Sequence, residues 1–151
     1  MRERLYGWGR TSPSFANVLT PDTEADVLEA LTTQRHVLAR GLGRSYGDAA
    51  QAAGGVVLRN DAFTEMSAIS EDGLVTVGSG VSIDDLIRVG MPLGWFVPVT
   101  PGTRQVSVGG AIAADVHGKN HHVDGSFGQH VREMRIATPI GIITLSLIHI
   151  S

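Results

Sequence analysis

Cysteine is absent from the 151-residue sequence, which excludes disulfides, thiolate metal sites and a cysteine nucleophile within it. An excess of positive charge is missing too. Twelve Lys and Arg stand against fifteen Asp and Glu, for a net charge of −3 with histidines neutral. General nucleic-acid binding needs a basic field, so nucleic acid is not an expected partner. No run of about 18 apolar residues occurs, and Met1-Arg2-Glu3-Arg4-Leu5-Tyr6 contains no apolar signal region. Neither a membrane span nor a signal peptide is expected. The lack of disulfides fits several compartments.

What is present suits one folded domain. The sequence is 42% hydrophobic and 18% charged, which excludes a disordered charged tail, and a chain of this length can bury a sizeable core. Its 19 glycines exceed the usual share of ~7%, so some part of the chain needs permissive backbone.

Thr20 as N-cap with Pro21 at the first helical position predicts a helix over about residues 21–33, with Val27, Leu28 and Leu31 on its apolar face. His36–Ala39 reads as a buried strand, Val56–Leu58 as the next and Leu74–Val77 as a third. Ser82 caps a helix over Ile83–Val89, with Asp84 and Asp85 in its first turn. Trp95–Val97 is a further strand candidate, and Pro98–Thr103 is a rigid loop. Ser107 caps a helix of small residues running toward Asp115, and Met134–Ala137 with Ile142–Leu145 form a hairpin. Strands and helices mix without a strict βαβ rhythm, so the expected class is α+β.

Three elements invite chemistry. The loop Gly41-Leu42-Gly43-Arg44-Ser45-Tyr46-Gly47 follows a strand and either makes a tight turn or aims backbone N–H groups at an anion. A dinucleotide fingerprint with Asp61 as the ribose-binding acid competes with this reading. Against it, the glycine spacing is one residue too long and the Asp48–Gly55 stretch is unsuited to a crossover helix. Second, Gly109 and Gly110 each cost about 1 kcal/mol relative to alanine in a helix. Such a helix start either admits a phosphate to free N–H groups or packs closely on a sheet, and both can hold together. Third, His117-Gly118-Lys119-Asn120-His121-His122 is a metal site, a solvated loop or a cofactor and substrate contact. Gly118 disfavours the helical face on which His117 and His121 would share a metal, and no metal is expected.

Five strings in order, Gly7-Trp8-Gly9-Arg10-Thr11, Ala39–Asp48, Pro101–Val106, Val108–Ala113 and Asp115–His122, resemble the vanillyl-alcohol-oxidase/p-cresol-methylhydroxylase (PCMH-type) superfamily of FAD enzymes. The resemblance covers about residues 7–144 and is similar in particular to its polyprenyl-phosphate sugar oxidases. It implies an α+β FAD-binding domain of two α/β subdomains with FAD between them, incomplete at its carboxy-terminal end, and a substrate domain that is absent here. It implies that Gly41, Gly43, Arg44, Ser45, Tyr46, Gly47, Gly102, Thr103, Ser107, Gly109 and Gly110 line FAD. His117 and Gly118 would adjoin the isoalloxazine, with Lys119 facing the substrate, so His117 and Lys119 are the candidate catalytic residues.

The implied reaction oxidises the 2′-hydroxyl of a polyprenylphosphoryl-β-D-ribose to the 2′-keto sugar, with hydride passing to the flavin. A partner keto-reductase would complete the epimerisation that serves cell-wall arabinan. A related oxidase of free alditols or sugar lactones, and a non-catalytic nucleotide-binding module, are the alternatives. Several relatives bond the flavin to a histidine in the first glycine loop. Here no histidine lies between His36 and His117, so a noncovalent FAD is expected. The resemblance suggests the bacterial cytoplasm or an association with membrane or cell envelope. Leu145–Ser151 reads as a non-native tail, the translation of a sequencing adapter.

Overall fold

The computed structural model describes residues 1–146; of the tail expected over Leu145–Ser151, Leu145 and Ser146 are described and the rest lies outside the described residues. The chain forms two compact units, Met1–Ala62 with Glu133–Ser146, and, among the described residues, Phe63–Arg132. Helices and strands mix in the expected α+β manner.

The first unit holds a four-stranded sheet. Its strands are β1 (Arg2–Leu5), β2 (Ser14–Leu19), β3 (Val37–Arg40) and β4 (Val56–Arg59), in the order β1-β2-β4-β3. β1 is antiparallel to β2, whereas β4 runs parallel to both neighbours, with Val37 opposite Val56 and Ala39 opposite Leu58. β4 is buried on both faces, as its unbroken Val56-Val57-Leu58 run requires. Val57 joins Leu5, Ala16 and Val18 on one side, while Val56 and Leu58 join Ala30 on the other. Burying one such side chain stabilises by about 1.5–3 kcal/mol.

Helix α1 (Glu24–Thr33) begins later than the sequence suggests. Its N-cap is Thr23, not Thr20, because Thr23 and Asp26 form a reciprocal capping box: the Asp26 N–H donates to Thr23 Oγ1 at 3.1 Å and the Thr23 N–H to Asp26 Oδ2 at 2.9 Å. Pro21 is left in the approach to the helix. The expected hairpin forms between β5 (Glu133–Thr138) and β6 (Gly141–Ser146), so Leu145 and Ser146 end a paired strand. Arg135 grips the Glu24 carboxylate with two bonds of 2.6 and 2.9 Å.

The second unit is built on helix α2 (Ile83–Gly90), capped by Ser82 and Asp85 as the Ser-x-x-Asp spacing demands, and on α3 (Val108–Ala113), capped by Ser107. Val81, Ile83, Val99, Val108, Ala111 and Phe127 form its core. Two expected strands are not formed. Of Leu74–Val77 only Val77 is bridged, to Met66. Trp95–Val97 makes no ladder: the Trp95 N–H returns to the Gly90 carbonyl at 3.0 Å, and its ring occupies the space a side chain on Gly73 would need.

Asp84 is 7% exposed and is held by Arg88 Nε at 2.9 Å and Arg104 Nε at 2.8 Å. The Arg88 hydrogen bond holds its carboxyl below the usual aspartate range; burial opposes this and the Arg104 charge adds to it. A depressed carboxylate contributes stability above its unfolded value, near pH 4, and loses it as pH falls through the folded value. Asp84→Asn should therefore be less stable than the parent at neutral pH and converge on it in acid. Urea denaturation at a series of pH values checks this. A stability gap that stays constant from pH 7 to pH 2 would contradict it.

Candidate functional site

In the first unit the glycine loop starts where β3 ends. Gly41 follows Arg40 directly, and Gly43 has φ +65°, a left-handed turn that glycine adopts without strain. The amino-terminal arm lies along the loop. Trp8 N–H donates to the Ser45 carbonyl at 2.7 Å, Gly9 N–H reaches the Tyr46 carbonyl at 3.4 Å, and the Arg44 guanidinium sits 4.9 Å from the Trp8 ring centroid. Gly7 carries no side chain because a Cβ there would enter the Gly47 carbonyl. Tyr46 is 81% exposed. Gly7, Thr11, Ser12, Tyr46, Gly47 and Asp48 line a cavity of about 250 Å³. The arm was not assigned to the site from its sequence, although a tryptophan flanked by two glycines is itself a sign of close backbone approach.

In the second unit, Thr100, Gly102, Thr103 and Arg104 share a cavity of about 500 Å³ with the apolar Met91 and Phe96. Thr103 Oγ1 accepts from the Gln105 N–H at 3.1 Å. The start of α3 differs from the phosphate-binding turn that its glycines suggest, because its first amides are already engaged. Val108 N–H donates to the Val81 carbonyl at 2.8 Å and Gly109 N–H to Ser79 at 2.9 Å; Gly110 N–H donates to Ser107 Oγ at 3.2 Å. The absent side chains, not free N–H groups, are what this turn offers.

The histidine loop follows α3 through Asp115, which has φ +41°. Its carboxylate accepts from the Gly128 N–H at 2.9 Å, and the Gly128 and Ser126 bonds hold it below the usual aspartate range. Gly118 is buried where a Cβ would lie 2.7 Å from the Thr100 carbonyl, and Asn120 Nδ2 donates to the Pro98 carbonyl at 3.0 Å. Gly118 is thereby held against Thr100, and Asn120 against Pro98. His117 is bridged to Ser126, so it does not share a helix face with His121, which starts α4 (His121–Asp124); their rings meet edge-on at 5.3 Å. Lys119 is exposed and makes no hydrogen bond or ion pair among the described residues. No metal-binding cluster occurs among them, and no helix among them is long and apolar enough to cross a membrane.

Each unit thus carries a cavity with glycine on its wall, Gly7 and Gly47 in the first and Gly102 in the second. The FAD binding domain family matches residues 15–146, and the chain belongs to that family. Its cofactor is FAD and its architecture is the PCMH-type α+β fold. The chain is 51% identical over 145 residues to decaprenylphosphoryl-beta-D-ribose oxidase of Mycolicibacterium smegmatis, covering 92% of this chain and 32% of that protein. It is 46% identical over 63 residues to an uncharacterized protein from the mprA 5′ region of Streptomyces coelicolor, covering 42% and 17% respectively. The chain thus spans about a third of the first relative and less of the second.

The residues present fit FAD. A Cβ built on Gly47 or Gly102 meets nothing within 4 Å, yet each glycine lines a cavity. Neither needs to lack a side chain for the protein's own packing, and both leave room that a side chain would fill.

Proposed function

We propose that these residues are the cofactor-binding part of an FAD-dependent oxidase that converts the 2′-hydroxyl of a polyprenylphosphoryl-β-D-ribose to a ketone. The observation that carries this reading is the 51% identity to an oxidase of that name, together with glycine-lined space that the protein's packing does not use. Residues about 7–144 form the partial FAD domain, and the substrate domain of the whole protein lies outside this chain. Gly41, Gly43, Arg44, Ser45, Tyr46 and Gly47 cradle the cofactor on the first unit. Gly102, Thr103, Ser107, Gly109 and Gly110 do so on the second, where bare backbone lets the cofactor approach closely.

Bound flavin supplies the hydride acceptor. His117 and Gly118 flank its ring, the histidine orienting the substrate hydroxyl. Lys119, which makes no hydrogen bond or ion pair among the described residues, offers its ammonium to the anionic sugar phosphate. A keto-reductase is the chemistry that would consume the product.

The test adds polyprenylphosphoryl ribose anaerobically to the whole protein and follows the flavin band, then precipitates the protein with acid. Bleaching, followed by release of all flavin into the supernatant, is expected. Bleaching by free alditols or lactones alone would favour the alternative oxidase, and an unresponsive band would favour a nucleotide-binding module. Flavin fluorescence left in the washed pellet would contradict noncovalent attachment.

A further inference from the structure

Arg40 is the last residue of β3, and its guanidinium is half-buried behind the glycine loop. It donates to two neutral acceptors, the Ala50 carbonyl at 2.6 Å and the Tyr6 carbonyl at 2.7 Å. It also lies so close to Gly43 that a Cβ there would enter it. No carboxylate pairs with it among the described residues. The nearby Arg59 adds a like charge and is itself paired with Glu3 at 2.6 Å. A half-buried cation without a counter-ion is costly unless an anion compensates it.

We propose that Arg40 is a positioning residue whose fixed positive charge, held against the back of Gly43, attracts the anionic diphosphate of FAD through the Gly41–Gly47 loop without touching it. Three functions combine in this side chain: it ties the Tyr6 arm to Ala50, packs against the loop at its left-handed turn, and adds a fixed positive charge behind the loop's backbone to that of Arg44. The proposal rests on the reading that this loop holds the diphosphate.

The test measures FAD affinity of the whole apoprotein by fluorescence titration at several salt concentrations, together with the thermal midpoint of each variant. Arg40→Gln should weaken FAD by about tenfold or more at low ionic strength, with a defect that shrinks as salt rises, because screening removes only the electrostatic part. Arg40→Lys, which keeps the charge but not the two-pronged geometry, should stay within a few-fold of the parent. Equal losses in both variants that track their thermal midpoints and ignore salt would reduce Arg40 to a structural tie and overturn the proposal. Unchanged affinity in Arg40→Gln would do the same. Should Arg40→Gln fail to fold, Arg40→Lys decides: a loss of about tenfold overturns the proposal, and near-parent affinity with the parent's salt dependence supports it. Gly47→Val separates the underlying reading, since full FAD binding by that variant would show that the diphosphate lies elsewhere and the proposal would fall with it.

Discussion

Gly7→Ala should strip the protein of FAD and destabilise the first unit together. One methyl group is enough because its obstacle is backbone. The new Cβ would enter the Gly47 carbonyl and lie 3.0 Å from the Ser45 carbonyl, and neither oxygen can turn aside as a flexible side chain could. The arm must lift, breaking the 2.7 Å bond from Trp8 to Ser45 and drawing Trp8 from beneath the Arg44 guanidinium. Overpacking of this kind costs about 1–3 kcal/mol or more. The same strain imposed on the loop proposed to cradle FAD should weaken the cofactor by up to about 100-fold. Flavin retained through gel filtration and the urea midpoint read the two effects. A variant with parental flavin content would show that the arm and the loop are independent.

Gly102→Val should separate what Gly7→Ala joins. Gly102 needs no left-handed backbone, and a Cβ there meets nothing within 4 Å, so the apoprotein should keep its stability within about 0.5 kcal/mol. The branched side chain would instead fill part of the cavity shared with Thr100, Thr103 and Arg104. FAD affinity should fall by at least about tenfold, the equivalent of 1.4 kcal/mol. A stable apoprotein with parental affinity would remove this cavity from the cofactor site. Gly110→Val is a less clean probe, because its Cβ would lie 3.1 Å from Ser107 Oγ and would press on the helix cap.

Local chemistry was the legible part of the sequence. Ser82 and Ser107 cap the helices that their positions announce, and Met134–Ala137 and Ile142–Leu145 pair across the turn between them in the expected hairpin. The glycine strings identified the FAD family outright. What stayed hidden depends on distant partners. β1 and β2 bury Leu5, Ala16 and Val18 but expose Phe15 and Leu19, so their apolar residues do not sort onto one face. Trp95 looks like a strand residue until Gly73 provides the surface on which its ring rests. The amides of Val108 and Gly109 look free until Val81 and Ser79 supply carbonyls. No pattern within residues 107–115 could reveal those acceptors.

Parallel neighbours β3 and β4 are joined by residues 41–55, a stretch with no helix in it, where adjacent parallel strands usually have a helical crossover. The glycine loop proposed to cradle the cofactor is therefore also the connection that closes the sheet, and its order of assembly is constrained. Helix-free closure gains little local structure to offset its entropy, so the β3–β4 pairing must form through non-local contacts, which is slow. The loop acquires its shape only once that pairing exists. FAD that binds the formed sheet acts by mass action, adding stability in proportion to RT ln(1 + [FAD]/Kd). Starving cells of riboflavin would deplete the mature protein by shortening its lifetime, with its rate of synthesis unchanged.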